Sequence, residues 1–198
     1  MPTTLKNILQ GNCCLQDKYI PDFDDLVKIV RQLKEGGFKI ALTQGVYDMF
    51  HVGHGRYLAE ARSHGDVLIV GVDSDELTRS MKGHNRPFDV FEERIEILSM
   101  LASVSVITCR HIDQHKYDLI RLVQPDVLIM SKTTSSFNDE DKRELDQYCG
   151  KIEHLAAKAA TTTTAKTLRL MTEGAEELAK KIQATVAEHL QQSGVSHG

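Results

Sequence analysis

Asp66 to Val72 reads Asp-Val-Leu-Ile-Val-Gly-Val, an unbroken apolar run, and no other segment constrains the fold as strongly. A strand without apolar/polar alternation must be covered on both faces, which calls for helices above and below a parallel sheet. Asp126 to Met130 (Asp-Val-Leu-Ile-Met) has the same character, and Phe38 to Thr43 is a further short apolar strand. Val104 to Thr108 and Lys151 to Leu155 complete the set of predicted strands.

Between the strands the spacing becomes helical. A helix is predicted from Asp22, with Leu26, Ile29, Val30 and Leu33 on one face, acidic residues in its first turn and Gly36-Gly37 as its stop. Others run from Gly53 or His54 to His64, from Phe91 to Leu101, from Tyr117 to Val123 and from Asn138 to Tyr148. Strands alternating with helices of about ten residues predict an α/β fold: a Rossmann-like, doubly wound parallel sheet of about five strands with helices on both faces. Asp73 and Asp75 read as turn and cap residues, and Lys82 and Arg86 as loop residues.

Residues 1–20 read as an amino-terminal arm and 21–171 as the α/β domain. In 172–198, Leu178, Ile182, Val186 and Leu190 form the stripe of a carboxy-terminal amphipathic helix. That stripe packs either on its own domain or against a second copy, as in a homodimer. The 198 residues suffice for one α/β domain and fall short of two full-sized ones. A net charge of −4 argues against nucleic acid or a membrane surface as partner. Met1 to Lys6 lacks a charged-then-apolar leader, and Cys13, Cys14, Cys109 and Cys149 form no C-x-x-C pair. The expectation is a cytoplasmic protein with reduced thiols.

The chemistry concentrates in Gly45 to Leu58, G-V-Y-D-M-F-H-V-G-H-G-R-Y-L, which follows the first strand and opens a helix. A parallel sheet places its ligand crevice there, and a helix N-terminus favours an anion. His51 and His54 flank Gly53, which would let the backbone approach a phosphate closely. The two histidines read either as donors to phosphate oxygens or as turn and capping residues. A metal site would need a further ligand, and none is evident nearby.

This stretch resembles the H-x-G-H signature of the cytidylyltransferase-like nucleotidyltransferases. It is most similar to the branch holding glycerol-3-phosphate cytidylyltransferase and the adenylyltransferase domain of the bifunctional heptose-phosphate enzyme. Asp66 to Glu76, Met81 to Pro87 (M-K-G-H-N-R-P), Phe91 to Leu98 (F-E-E-R-I-E-I-L) and Gln124 to Met130 resemble family segments in the same order. The resemblance implies that His51 and His54 contact the triphosphate and that Lys82 folds over the phosphates. It implies a backbone bed at Gly45, Val46 and Tyr47, with Asp48 near substrate or metal, and Arg94 supporting the same anionic centre. Thr162, Thr163 and Thr164 would hold phosphate oxygens, with Lys166 nearby. Ser131 joins the nucleotide-binding set. With Lys132 it stands where the cytidylyltransferase branch has a Gly-Asp pair, so an adenylyl donor is favoured.

The implied reaction moves a nucleoside monophosphate, AMP for preference, from ATP or CTP to a phosphorylated small metabolite, with Mg²⁺ present and pyrophosphate released. The alternatives are a cytidylyltransferase acting on a polyol or aminoalkyl phosphate and a nucleotide-binding sensor without chemistry. A dehydrogenase would need a G-x-G-x-x-G turn, which is lacking.

Overall fold

The structure is a computed structural model that describes residues 5–11, 14–132, 139–156 and 163–192. In chain order the elements are α1 (Leu5–Gln10), α2 (Leu15–Lys18), α3 (Phe23–Glu35), β1 (Ile40–Gly45), α4 (Val52–Arg62), β2 (Val67–Asp73), α5 (Asp75–Lys82) and α6 (Phe91–Ser99). There follow β3 (Val106–Arg110), α7 (Asp118–Val123), β4 (Val127–Ser131), α8 (Asp139–Leu145), β5 (Lys151–Leu155) and α9 (Thr163–Gln192). The chain divides into two units, residues 1–159 and 160–198.

The first unit is the doubly wound sheet, its strands parallel and ordered β3-β2-β1-β4-β5. Every residue of β2 is buried, as its uniform apolar run requires. Alternate strand residues feed two cores. Ile40, Leu42, Ile69 and Val106 join Leu26, Leu33, Ile120 and Val123 from α3 and α7. Ala41, Leu68, Val70 and Ile107 join Leu58 and Ala61 of α4 and Ile95 and Leu98 of α6 on the other face. Strand starts are tied by carboxylates rather than by apolar pairing: Asp66 accepts from Lys39 N (2.8 Å) and Asp126 from Ile40 N (2.7 Å). That arrangement moves the ordered start of β1 to Ile40.

Order β3-β2-β1-β4 puts a reversal of winding between β1 and β4. Loops leaving their carboxyl ends diverge to opposite faces and open a crevice there.

Three local differences from the sequence reading have physical causes. Residues of the expected arm form α1 and α2, with Ile8 packed in the core and Tyr19 bridged to Ile107. Asp75 to Lys82 is a helix instead of a loop, its N-cap supplied by Ser74, whose hydroxyl accepts from Leu77 N at 3.1 Å. In the second unit α9 begins at Thr163, in the threonine run, and runs for 30 residues, so the amphipathic stretch after Met171 continues one helix instead of forming its own. Arg169–Glu173 (2.6 Å) and Lys181–Glu177 (2.7 Å) brace it one turn apart.

Cys14, Cys109 and Cys149 are free thiols; Cys13 and the expected cap Asn138 lie outside the described residues. Among the described residues no helix is long and apolar enough to cross a membrane.

Candidate active site

Gly45 ends β1, and the chain then enters a turn in which Tyr47 (φ 57°) and Met49 (φ 48°) both take left-handed backbone conformations. Only a residue held by its surroundings keeps such a conformation when it carries a side chain. The holding groups come from residues 86–89. Asp48, between the two, is buried and accepts from Phe88 N (2.9 Å), Asp89 N (3.0 Å) and Arg86 Nη1 (2.5 Å). In return Asp89 Oδ2 accepts from Met49 N at 2.5 Å. The Asp48 carboxylate is thus engaged by the 86–89 segment.

Arg94 secures both loops from beneath. Its side chain is fully buried on α6 and donates to Val46 O (2.6 Å), Asp89 O (3.1 Å) and Asp75 Oδ1 (2.7 Å). A planar fork of donors spread over three nitrogens can serve acceptors on three segments at once, whereas an ammonium must reach them all from a single atom. Placed so, Arg94 acts on the phosphate-side loops by positioning them.

His51 is the N-cap of α4, and its Nδ1 accepts from Gly53 N at 3.0 Å. An accepting Nδ1 carries no proton, so the neutral ring is protonated at Nε2. His54 N and Gly55 N also donate within this first turn, to His51 O at 2.9 and 3.3 Å. The amides of Gly53, His54 and Gly55 are therefore engaged locally, and what this helix end presents to an anion is its dipole and its imidazoles. The His51 and His54 rings stack with centroids 4.0 Å apart and 19° between planes. His54 is further bounded by Tyr47 (5.8 Å, edge-on) and Phe50 (5.4 Å). The capping role and a ligand role are compatible, since they use different nitrogens of His51.

Lys82 is the last residue of α5 and is exposed as a whole, with its ammonium end partly shielded from solvent. Desolvation of its ammonium and then the nearby Arg86, with Arg94 behind, lower its pKa from the ordinary lysine value, against the pull of Asp73 and Asp48. A cation surrounded by other cations gains by meeting an anion.

Ser131 closes β4, beside β1 across the crevice. Thr163, Thr164 and Lys166 lie in the opening turn of α9, in the second unit, and Thr162 falls outside the described residues. Among the described residues no three His, Cys, Asp or Glu side chains gather to hold a metal ion. Sequence reasoning passed over Asp89 and read Asp75 only as a turn or cap residue, because each acts through a partner 40 or 19 residues away, with no local pattern to announce it.

A doubly wound sheet with a histidine-capped helix following β1, at the point where the winding reverses, defines the class of α/β protein to which the chain belongs. The chain belongs to the cytidylyltransferase-like family, whose family model matches residues 42–173. It is 40% identical over 113 residues to the bifunctional protein HldE of Sulfurimonas denitrificans, covering 57% of this chain and 24% of that protein. To the protein of that name from Geotalea uraniireducens it is 34% identical over 148 residues, covering 75% and 30%. The chain thus spans about a quarter to a third of the length of these relatives. The fold is shared with the lipopolysaccharide core biosynthesis protein of Thermoplasma volcanium, with a TM-score of 0.56 at 24% identity, covering 62% of this chain and 100% of that one.

Proposed function

We propose that this chain transfers a nucleoside monophosphate, AMP in preference to CMP, from a nucleoside triphosphate to a phosphorylated sugar-class metabolite, releasing pyrophosphate. The observation that carries the reading is the stacked His51–His54 pair at the N-terminus of α4, at the carboxyl end of β1. Membership of the cytidylyltransferase-like family supports the reaction class, and the similarity to HldE proteins supports the acceptor class. Ser131-Lys132 after β4 supports the adenylyl donor.

An acceptor phosphate oxygen, already ionised at neutral pH, attacks the α-phosphorus. The bond from that phosphorus to the bridging oxygen breaks, and the electron pair leaves with pyrophosphate. No general base is needed, so the work of the protein is alignment and neutralisation. The His51 ring, protonated at Nε2, and the His54 ring donate toward the departing phosphates. Lys82 folds over them from α5. Gly45, Val46 and Tyr47 line the nucleotide's path, held by Arg94 and the Asp48–Asp89 clamp. Gly53 leaves its own position in the first turn of α4 without a side chain. Thr163, Thr164 and Lys166 belong to the second unit and Thr162 lies outside the described residues, so what supports their assignment to phosphate is the family motif. A divalent cation such as Mg²⁺ would arrive with the triphosphate and would supply charge neutralisation at the leaving group. A homodimer and a cytoplasmic setting complete the proposal.

The deciding experiment is pyrophosphate release with ATP or CTP, each against sugar, polyol and aminoalkyl phosphates. Release with ATP and a sugar phosphate is expected. Nucleotide-induced stabilisation with no release under any pairing would make the protein a sensor instead.

The perturbed Lys82 sets a pH dependence. Triphosphate favours the charged ammonium, so nucleotide affinity should fall as pH climbs through the lowered Lys82 pKa, below the 10.5 of an ordinary lysine. For the free protein the sign reverses. The unfolded chain binds the proton more tightly, so this residue's contribution to stability rises with pH across the same window. Titrating ATP between neutral and alkaline pH should show the fall, and Lys82→Met should flatten it. An identical pH profile in Lys82→Met would remove Lys82 from the phosphate site.

A further inference from the structure

Gly71 lies in β2 between Gln44 of β1 and Thr108 of β3, its partners in register on either side. By strand alternation all three face the side covered by α3 and α7, the face of Leu42, Ile69 and Val106. Gln44 Oε1 and Thr108 Oγ1 are both buried there, and among the described residues neither has a hydrogen-bond partner. Buried polar atoms without partners are uncommon, and two in one row of a sheet otherwise packed with aliphatic side chains call for an explanation.

On the same face, nearer the carboxyl edge, Asp73 and Arg110 stand in register at the ends of β2 and β3. Arg110 Nη1 donates to Asp73 Oδ1 at 2.8 Å, with side chains 14% and 4% exposed. Gly71 makes room for the arginine stem, since a Cβ there would meet Arg110 Cδ at 3.1 Å and Leu119 Cδ2 at 2.4 Å. Among the described residues the guanidinium makes no other side-chain hydrogen bond, although it has five N–H donors. Burial raises the Asp73 pKa, while Arg110, then Lys82 and Arg94, pull it back. The pair therefore lies within electrostatic reach of the lysine assigned to the phosphates. In register, Gly45 pairs with Val72, which puts Asp73 one residue beyond the level where the β1 loop begins.

A half-used guanidinium beside carboxylate and amide oxygens is a set of groups matched to a phosphate that carries hydroxyls. We propose that Arg110 and Asp73, with Gln44 beside them, form the acceptor subsite, the guanidinium holding the acceptor's phosphate and the oxygens accepting from its hydroxyls. This deepens the transferase reading and rests on it. The pair is already neutral, so it selects hydroxyls over an ammonium group, and polyol or sugar phosphates over aminoalkyl phosphates.

The test uses the full chain saturated with the α,β-methylene analogue of ATP, which cannot release pyrophosphate. Mannose 1-phosphate, glycerol 3-phosphate and ethanolamine phosphate are titrated into wild type, Arg110→Lys and the double variant Asp73→Asn/Arg110→Gln, which replaces the ion pair by a neutral one of similar shape. The double variant should bind the hydroxylated phosphates about 30-fold more weakly, the effect of losing charge-assisted hydrogen bonds. Its affinity for the nucleotide analogue should stay within about twofold, as expected for a separate site. Arg110→Lys should recover part of the loss. Unchanged acceptor binding in the folded double variant would overturn the subsite, as would a parallel loss of nucleotide affinity or a preference for ethanolamine phosphate. So would a wild-type protein that holds the nucleotide but binds none of the three. A wild-type protein that binds no nucleotide at all removes the transferase reading itself, and the subsite with it.

Discussion

Replacing His54 by alanine is expected to cut pyrophosphate release by about a hundredfold or more, the usual effect of deleting one preorganised donor at a leaving group. The fold should persist. His54 lies in the first turn of α4, only partly buried, and alanine is the best helix former. What is lost is ring contact with His51, Tyr47 and Phe50, worth about 1 kcal/mol in all, or a shift of about 2–4 °C in Tm for a domain of this size. His51 needs a subtler substitution because it also caps the helix. His51→Ala combines lost chemistry with a lost cap, whereas asparagine is as good an N-cap and removes the imidazole alone. His51→Asn should therefore keep its cap, lower Tm by no more than about 2–4 °C through the lost stack on His54, and resemble His54→Ala in turnover. Near-normal turnover in folded His54→Ala would leave the proposed site without its principal group.

Arg94→Met should produce the largest loss of stability. The guanidinium is completely buried and bonded to Asp75, Val46 O and Asp89 O. A methionine of similar length leaves the carboxylate and both carbonyls short of a donor. Removing one partner of a buried ion pair costs about 3–5 kcal/mol. For a domain of this size that lowers Tm by on the order of 10 °C. Urea denaturation would measure it directly. Arg94→Lys should recover little, since an ammonium must reach all three segments from a single atom. A loss below about 1 kcal/mol in Arg94→Met would mean the two loops are held by something else.

The sheet was legible mainly from β2 and β4, which are apolar at nearly every position, and only burial on both faces explains that pattern; β5, Lys-Ile-Glu-His-Leu, lacks it. α3 and α6 were legible from apolar spacing. α5 was not: its only apolar pair, Leu77 and Met81, is too short a stripe to mark a helix in eight residues, and Ser74-Asp75-Glu76 resembles a turn as much as a cap. The glycine and histidine positions around α4 could be read from local sequence. Their local bonding could not, and it is the engagement of the Gly53, His54 and Gly55 amides that shifts the expected anion contact from backbone to imidazole. Arg94 was singled out by its motif, but its bonds to Val46 and Asp89 depend on how two loops meet in space. Arg110 and Asp89 were missed for the same reason: strand register and long-range pairing leave no periodic trace.

The left-handed residues on either side of Asp48 bear on the kinetics of ligand capture. Each such conformation costs about 1 kcal/mol or more, and the folded chain meets that cost before any substrate arrives. A ligand docking as proposed would therefore meet a turn already set in shape and surrender little backbone entropy there. Association at this turn should proceed as a simple one-step collision, with any slower rearrangement confined to other segments.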